Sequence, residues 1–260
     1  MVKDFEKEFY TFLERVRNRS PFAFSRFSDG ELYVMQNKEV MLGETTKVGN
    51  EEDPTKHPPD DHKHFKPGEN ESLRLGLIEA WQFQMPGYYK GKPCRCCVRE
   101  DNHKWAMDLV QGQSEEQFTW ANLFVNSNYP KFVEQMVPEL GKYDRIIIVC
   151  NKNAKVHGLP FRVERHFGIG PNAMINDLPV IEQVEEHLRE TKAEGVLCLC
   201  AASSLSNLLI KTLFPKFPGN TFLDVGSALN FYTGMPLSRA YLVGYWMKVP
   251  TDFFKRKCVW

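Results

Sequence analysis

The stretch GVLCLCAASSLSNLLIKTL, residues 195–213, reads as a strand, a small-residue turn and a helix. Gly195 to Cys200 is a continuous apolar run of strand length without polar alternation, the pattern of a strand covered on both faces. Ala201 to Ser204 then turn on small residues, and Leu205, Leu208, Leu209 and Leu213 return at helical spacing. RIIIVC (Arg145 to Cys150) and TFLDV (Thr221 to Val225) are runs of the same kind, and Val180, Ile181, Val184 and Leu188 keep a helical face between them. Strand, helix, strand, helix, strand predicts an α/β fold: an open, mostly parallel sheet with helices on both faces.

Nearer the N-terminus, Phe5, Phe9, Phe12, Leu13 and Val16 recur every three or four residues among charges, which predicts an amphipathic helix ended by Ser20-Pro21. FAFSRF (Phe22 to Phe27) suits a buried strand, and Ser28-Asp29-Gly30 a turn into the next helix. Arg26, Asp29 and Glu31 thus fall at a strand-to-helix junction. From Gly43 to Asn70 the chain is polar, with four prolines and no apolar period, and reads as a long mobile loop that could serve as a lid. Leu73, Leu77, Ile78 and Trp81 restore helical spacing, whereas Pro86 to Arg99 fits no element. Without an internal repeat or linker, residues 1–260 are expected to form one domain.

The chain has 260 residues, 42% hydrophobic and 25% charged, which excludes disordered, collagenous and coiled-coil classes. Lys plus Arg and Asp plus Glu both number 33, so no global field draws the chain to nucleic acid or to an anionic membrane. No run approaches the ~20 apolar residues of a membrane span, and MVKDFEKEFY is too charged for a signal peptide, so a cytoplasmic protein is expected. Seven cysteines in a chain of this size suggest reduced thiols.

In an open parallel sheet, ligands bind beyond the carboxyl ends of the strands. Those ends carry Asn151 and Lys152 to Lys155 after RIIIVC, Ser203 and Ser204 after GVLCLC, and Asp224, Gly226 and Ser227 after TFL. The two serines open a helix, where free N–H groups favour a phosphate, although serines also simply cap helices. Lys155 could add a cation. Arg26 suits bidentate phosphate binding, and Asp29 with Glu31 could hold Mg²⁺ or Mn²⁺; the same two acids could equally be an N-cap and a first-turn glutamate. Cys94, Cys96 and Cys97 with His103 lack two separated CxxC or HxxxH pairs, so the spacing argues against zinc. His57, His62 and His64 read as solvated loop residues. No GxSxG, GxxxxGK[ST], HExxH or GxGxxG motif is present.

Ser25-Arg26-Phe27-Ser28-Asp29-Gly30-Glu31 resembles the R-F-G-D-G-E signature of GT-D-type glycosyltransferases, a Rossmann-like family first recorded as a domain of unknown function. Pro171-Asn172-Ala173 is similar to that family's P-x-N-A segment, LCLCAASSLSNLL to its strand, turn and helix, and Phe222 to Ser227 to its terminal strand and D-x-G block. The resemblance implies a nucleotide-sugar donor, usually a UDP-sugar, a glycan or glycoprotein acceptor, and assistance by Mn²⁺ or Mg²⁺. It makes Arg26, Asp29 and Glu31 the catalytic candidates, with the two acids as metal ligands. Asn151, Asn172, Lys155, Ser203, Ser204, Asp224 and Ser227 are the donor and phosphate candidates. One departure stands out: where the family continues D-x-G-H-x-D-x-E, this chain reads Asp224-Val-Gly-Ser-Ala-Leu-Asn-Phe231, without the histidine and later acids. Two other readings compete. Leu223 to Ser227 partly resembles the glycine-rich strand end of S-adenosylmethionine-dependent methyltransferases, and the missing acids leave room for a non-catalytic nucleotide-binding domain.

Overall fold

In the computed structural model, residues 3–42, 47–48, 51–52 and 63–260 are described. The chain opens with helix α1 (Phe5–Arg17), capped by the Asp4 carboxylate, which accepts from the N–H groups of Glu6 and Lys7 at 3.1 and 2.8 Å. Its phenylalanine stripe is buried. Strand β1 (Ala23–Arg26) and helix α2 (Asp29–Met35) follow, as the junction at Arg26 to Glu31 implied.

The expected loop departs from its reading. Strands β2 (Val40–Leu42), β3 (Lys47–Val48), β4 (Glu51–Glu52) and β5 (Lys63–Phe65) form a four-stranded antiparallel sheet in the order β4-β3-β2-β5. Residues 43–46, 49–50 and 53–62 of the proposed lid, with His57 and His62, lie outside the described residues. Strands of two or three residues carry too few side chains for a period. Main-chain pairing and the fully buried Phe65, packed near Val40 and Leu42, hold β5 instead.

Helix α3 (Glu71–Gln82) leads to β6 (Tyr88–Lys92), α4 (Arg95–Val98), α5 (Glu100–Asp108) and β7 (Phe118–Trp120). Helices α6 (Tyr129–Lys131) and α7 (Val137–Leu140) are joined by a π-helical stretch, Phe132–Met136. The second half then alternates: β8 (Ile146–Asn151), β9 (Arg165–Ile169), α8 (Ala173–Asn176), α9 (Val180–Glu190), β10 (Leu197–Cys200), α10 (Ser204–Leu213), β11 (Thr221–Asp224) and α11 (Ala240–Trp246).

The main sheet runs β7-β6-β1-β11-β10-β8-β9, and its strand pairings among the described residues are all parallel. Period-two alternation sends successive residues to opposite faces, and both faces are covered. Ile146, Ile148, Leu197 and Leu199 share one core with Phe9, Phe12, Phe132 and Met136. Ile147, Val149, Cys198 and Cys200 share another with Val184, Leu188, Leu205 and Leu209. The open α/β architecture expected from the apolar runs, Rossmann-like as the resemblance implied, is therefore the one observed. At its centre β1 and β11 are neighbours although far apart in sequence, so the turns after Arg26 and after Asp224 open side by side at the carboxyl edge. No helix among the described residues is long and apolar enough to cross a membrane.

Candidate active site

A cleft of about 1410 Å³ opens at that carboxyl edge. Of the sequence candidates, Arg26, Asp29, Glu31, Asn151, Asn172, Ser203, Asp224 and Ser227 line it. Lys155 and Ser204 do not. Lys155 is exposed in the turn after β8, and its N–H is given to the carbonyl of Thr233. Ser204 is buried, and its hydroxyl donates to Glu31 Oε1 at 2.7 Å.

Glu31 turns out to be the structural member of the acidic pair. Ser28 is the N-cap of α2, and Glu31, three residues on, accepts the Ser28 N–H through Oε2 at 3.0 Å, a capping contact. Its Oε1 meets Ser204 and also Lys63 Nζ, 3.5 Å away. Burial pushes its acidity down, but the Lys63 charge and the Ser204 and Ser28 hydrogen bonds outweigh it and hold the carboxyl below its ordinary pKa. Asp29, at the first position of α2, is exposed; its Oδ1 accepts from Ser28 Oγ and the Gly30 N–H at 3.1 and 3.0 Å. The capping reading thus falls on Glu31 rather than on Asp29.

Arg26 is fixed by its surroundings. Its Nε donates to the carbonyl of Ala121 at 2.6 Å, and its N–H to Asp224 Oδ2 at 3.3 Å. The guanidinium lies so close to Gly226 that a Cβ there would collide with Arg26 Nη1, and Gly226 has φ +49°. Both facts demand glycine. Asp224 Oδ1 accepts from the Gly226 N–H at 3.0 Å. Burial raises Asp224 to a pKa of about 6; the Arg26 charge pulls it down and the Glu31 charge pushes it up. Asn207 of α10 ties this floor together by donating to Ser25 Oγ and to the carbonyl of Arg26.

Beside the floor stands the start of α10. Ser203 is exposed and holds φ +54°, a backbone state that costs a non-glycine residue of order 1–3 kcal/mol. Asn172 lines the cleft, but its side chain is already engaged: Oδ1 accepts from the His64 N–H at 2.9 Å and Nδ2 donates to the His64 carbonyl at 3.2 Å. It joins the small sheet to the turn after β9 as a clamp. Asn151 Oδ1 accepts from the Asn153 N–H, and Ser227 Oγ pairs with the Tyr241 hydroxyl at 2.6 Å.

Sequence reading missed the other wall. Lys63, Arg239, Lys255, Arg256 and Lys257 also line the cleft. Together with Arg26 they make six basic residues against three acidic ones among the described lining, in a chain whose formal charge is zero. The Lys255-Arg256-Lys257 run was a visible signal, but nothing in the sequence said that it folds back onto the sheet edge. A divalent ion finds an incomplete cage here. Both Glu31 oxygens are taken, one of them beside an ammonium, and both Asp224 oxygens accept N–H groups. Among the described lining residues only Asp29 offers an exposed carboxylate, enough for an ion that a substrate's phosphates complete.

The fold and its carboxyl-edge cleft define an open, parallel α/β architecture. The structure is similar to that of a protein described as "The highly conserved domain of unknown function 1792 has a distinct glycosyltransferase fold", with a TM-score of 0.55, 14% identity and coverage of 87% of this chain and 81% of that one. A selenomethionine-substituted structure of the same domain of unknown function 1792 matches with a TM-score of 0.56, 13% identity and the same coverage. No protein-family model matches the sequence, and no curated protein matches it significantly.

Proposed function

We propose that the protein is a glycosyltransferase that takes a sugar from a nucleoside-diphosphate donor, most simply a UDP-sugar, and passes it to a glycan or glycoprotein acceptor. The observation that carries this is the concentration of positive charge at the carboxyl edge of a chain with no net charge. A basic cleft with low-dielectric walls focuses potential on an anionic ligand. The likeness of fold to a domain with a glycosyltransferase fold supports the same reading.

Each residue then has a distinct task. Arg26, held by Ala121 and packed over Gly226, presents a guanidinium with little freedom left to lose, suited to the diphosphate whose charge grows as the glycosidic bond breaks. Ser203 and the start of α10 offer N–H groups to the same phosphates. Glu31 orients: it binds Ser204 at the start of α10 to Ser28 at the start of α2 and keeps Lys63 at the rim. Asp29 would hold Mn²⁺ or Mg²⁺ together with the donor, and a cation bound there would neutralise part of the leaving group's charge.

Calorimetry with UDP, with and without Mn²⁺, tests the reading. Binding of UDP that weakens steeply with added salt is expected. Absence of binding under both conditions would remove it, and binding of S-adenosylhomocysteine alone would put a methyltransferase in its place.

A further inference from the structure

We propose that Cys94, Cys96, Cys97 and Cys258 form a tetrathiolate zinc site that clips the C-terminal tail to the rim of the cleft. The four Sγ atoms lie within 4.8 Å of one another, and among the described residues this is the one cluster of three or more metal-capable side chains. A tetrahedron with zinc–sulfur bonds of about 2.3 Å has sulfur–sulfur edges of about 3.8 Å. Here Cys94 and Cys96 sulfurs are 3.2 Å apart, and those of Cys96 and Cys97 3.9 Å. All seven cysteines of the chain are free thiols, so no disulfide competes for these positions.

The backbone explains how three ligands arise from four residues. Cys94 precedes α4, and the N–H groups of Cys97 and Val98 return to its carbonyl at 3.0 and 3.2 Å, which folds the CxxC pair Cys94 and Cys97 onto one side of a tight turn. Cys258 arrives from the other end of the chain. His103, grouped with these cysteines on sequence, is not a member: its Nδ1 bonds the Pro93 carbonyl at 2.8 Å and braces the loop.

Two further features suit a thiolate cluster. Asn122 Nδ2 points at Cys97 Sγ at 3.3 Å and Asn126 Nδ2 at Cys258 Sγ at 3.6 Å, N–H···S contacts of the sort that orient metal-bound sulfur. The neighbourhood is also cationic: the ammonium groups of Lys92 and Lys3 share the Trp260 ring, 3.3 and 5.1 Å from its centre. When Zn²⁺ binds, the four thiols release four protons to solvent and the complex carries two negative charges, which those ammonium groups offset. Soft thiolates in a tetrahedral set select zinc among common divalent ions, and four protein ligands leave no open position, so the site is structural. Cys96, Cys97 and Cys258 line the same cleft as Arg26 and Asp224, but the site uses none of the floor residues, and its existence does not depend on the glycosyltransferase reading.

Metal analysis of the full-length protein, purified without chelator, tests it. Roughly one zinc per chain is expected, falling at least tenfold in Cys258→Ala and in Cys97→Ala but unchanged in Cys150→Ala. Because a variant could lose zinc by unfolding, Co²⁺ is also titrated into zinc-free wild type, where intense thiolate-to-cobalt charge-transfer bands with tetrahedral ligand-field bands are expected. Wild type with negligible zinc and no such bands would overturn the site, as would iron in place of zinc, an intact mass two hydrogens lighter from a disulfide, or zinc retained in both cluster variants.

Discussion

On the strand side of the cleft, polar groups satisfy one another: Ser204 donates to Glu31, the Arg26 N–H to Asp224, and Asn207 to Arg26. On the tail side, the charges rest on partners at the periphery. Lys255 pairs with Asp252 at 3.0 Å, Lys257 with Glu6 at 3.5 Å, and the Arg256 guanidinium lies 4.3 Å from the centre of the Phe253 ring. Lys255 and Asp252 are both largely exposed, so that pair adds little stability. The contrast separates geometry from charge. The floor is preorganised by these hydrogen bonds, whereas the tail supplies field without fixed aim.

The largest effect should come from breaking the floor. Gly226→Ala forces a Cβ against Arg26 Nη1 at a residue with φ +49°, displacing the guanidinium. Turnover is expected to fall on the order of a hundredfold, by analogy with the loss of one transition-state donor. Lys255→Ala, on the tail, should cost only a few-fold in UDP affinity, and that loss should shrink as salt rises. Equal effects of the two substitutions in parallel titrations would erase the distinction between the walls.

The acidic pair sharpens the same contrast within the floor. Glu31→Gln leaves an amide beside Lys63 and turns an N–H donor toward groups that need acceptors. It should destabilise the fold by on the order of 1–3 kcal/mol. Asp29→Asn touches only local hydrogen bonds and should leave thermal stability nearly unchanged, while activity drops on the order of a hundredfold. Denaturant melts and rates at saturating donor measure both. If Asp29→Asn keeps activity within a few-fold, the exposed carboxylate has no part in the reaction.

How far the sequence speaks depends on which forces hold each part. Strands β8, β10 and β11 bury both faces, so their apolar runs stand out, and the helices packed on them show their stripes. Strand β6 does not stand out, because its YYKGK carries Lys90 and Lys92, and lysine ordinarily marks solvent. Both are buried here: Lys90 Nζ donates to the Phe83 carbonyl at 3.0 Å and sits 4.6 Å from the centre of the Phe118 ring, while Lys92 lies on Trp260. The lining of the candidate cleft is legible where it coincides with strand ends, at Arg26, Asp29, Ser203 and Asp224. It is illegible where it rests on contacts between distant segments. Nothing in Asn172 announces a clamp on His64, and nothing in Cys258 announces the company of Cys94.

The smallest expected effect concerns Asp224, and its sign follows from burial. The fold raises this carboxyl from an ordinary 3.8 to about 6. Below pH 3.8 the group is protonated in folded and unfolded chains alike. Between 3.8 and 6 the unfolded chain ionises it while the folded chain resists, so its stabilising contribution is lost as pH rises through that window and stays lost above it. Asp224→Asn is neutral throughout and carries no such loss, although its amide pairs less well with the Arg26 and Gly226 N–H groups and lowers stability at every pH. The melting temperature of the variant relative to wild type should therefore climb from pH 4 to pH 6 and level off above it. Glu31 titrates in the opposite sense: its lowered pKa gives stability that is lost as pH falls, and it is present in both proteins, so the difference reports mainly Asp224 and its coupling to Glu31. Parallel melting curves across that range would mean that Asp224 is already ionised at pH 4, with the Arg26 charge prevailing over burial in the floor.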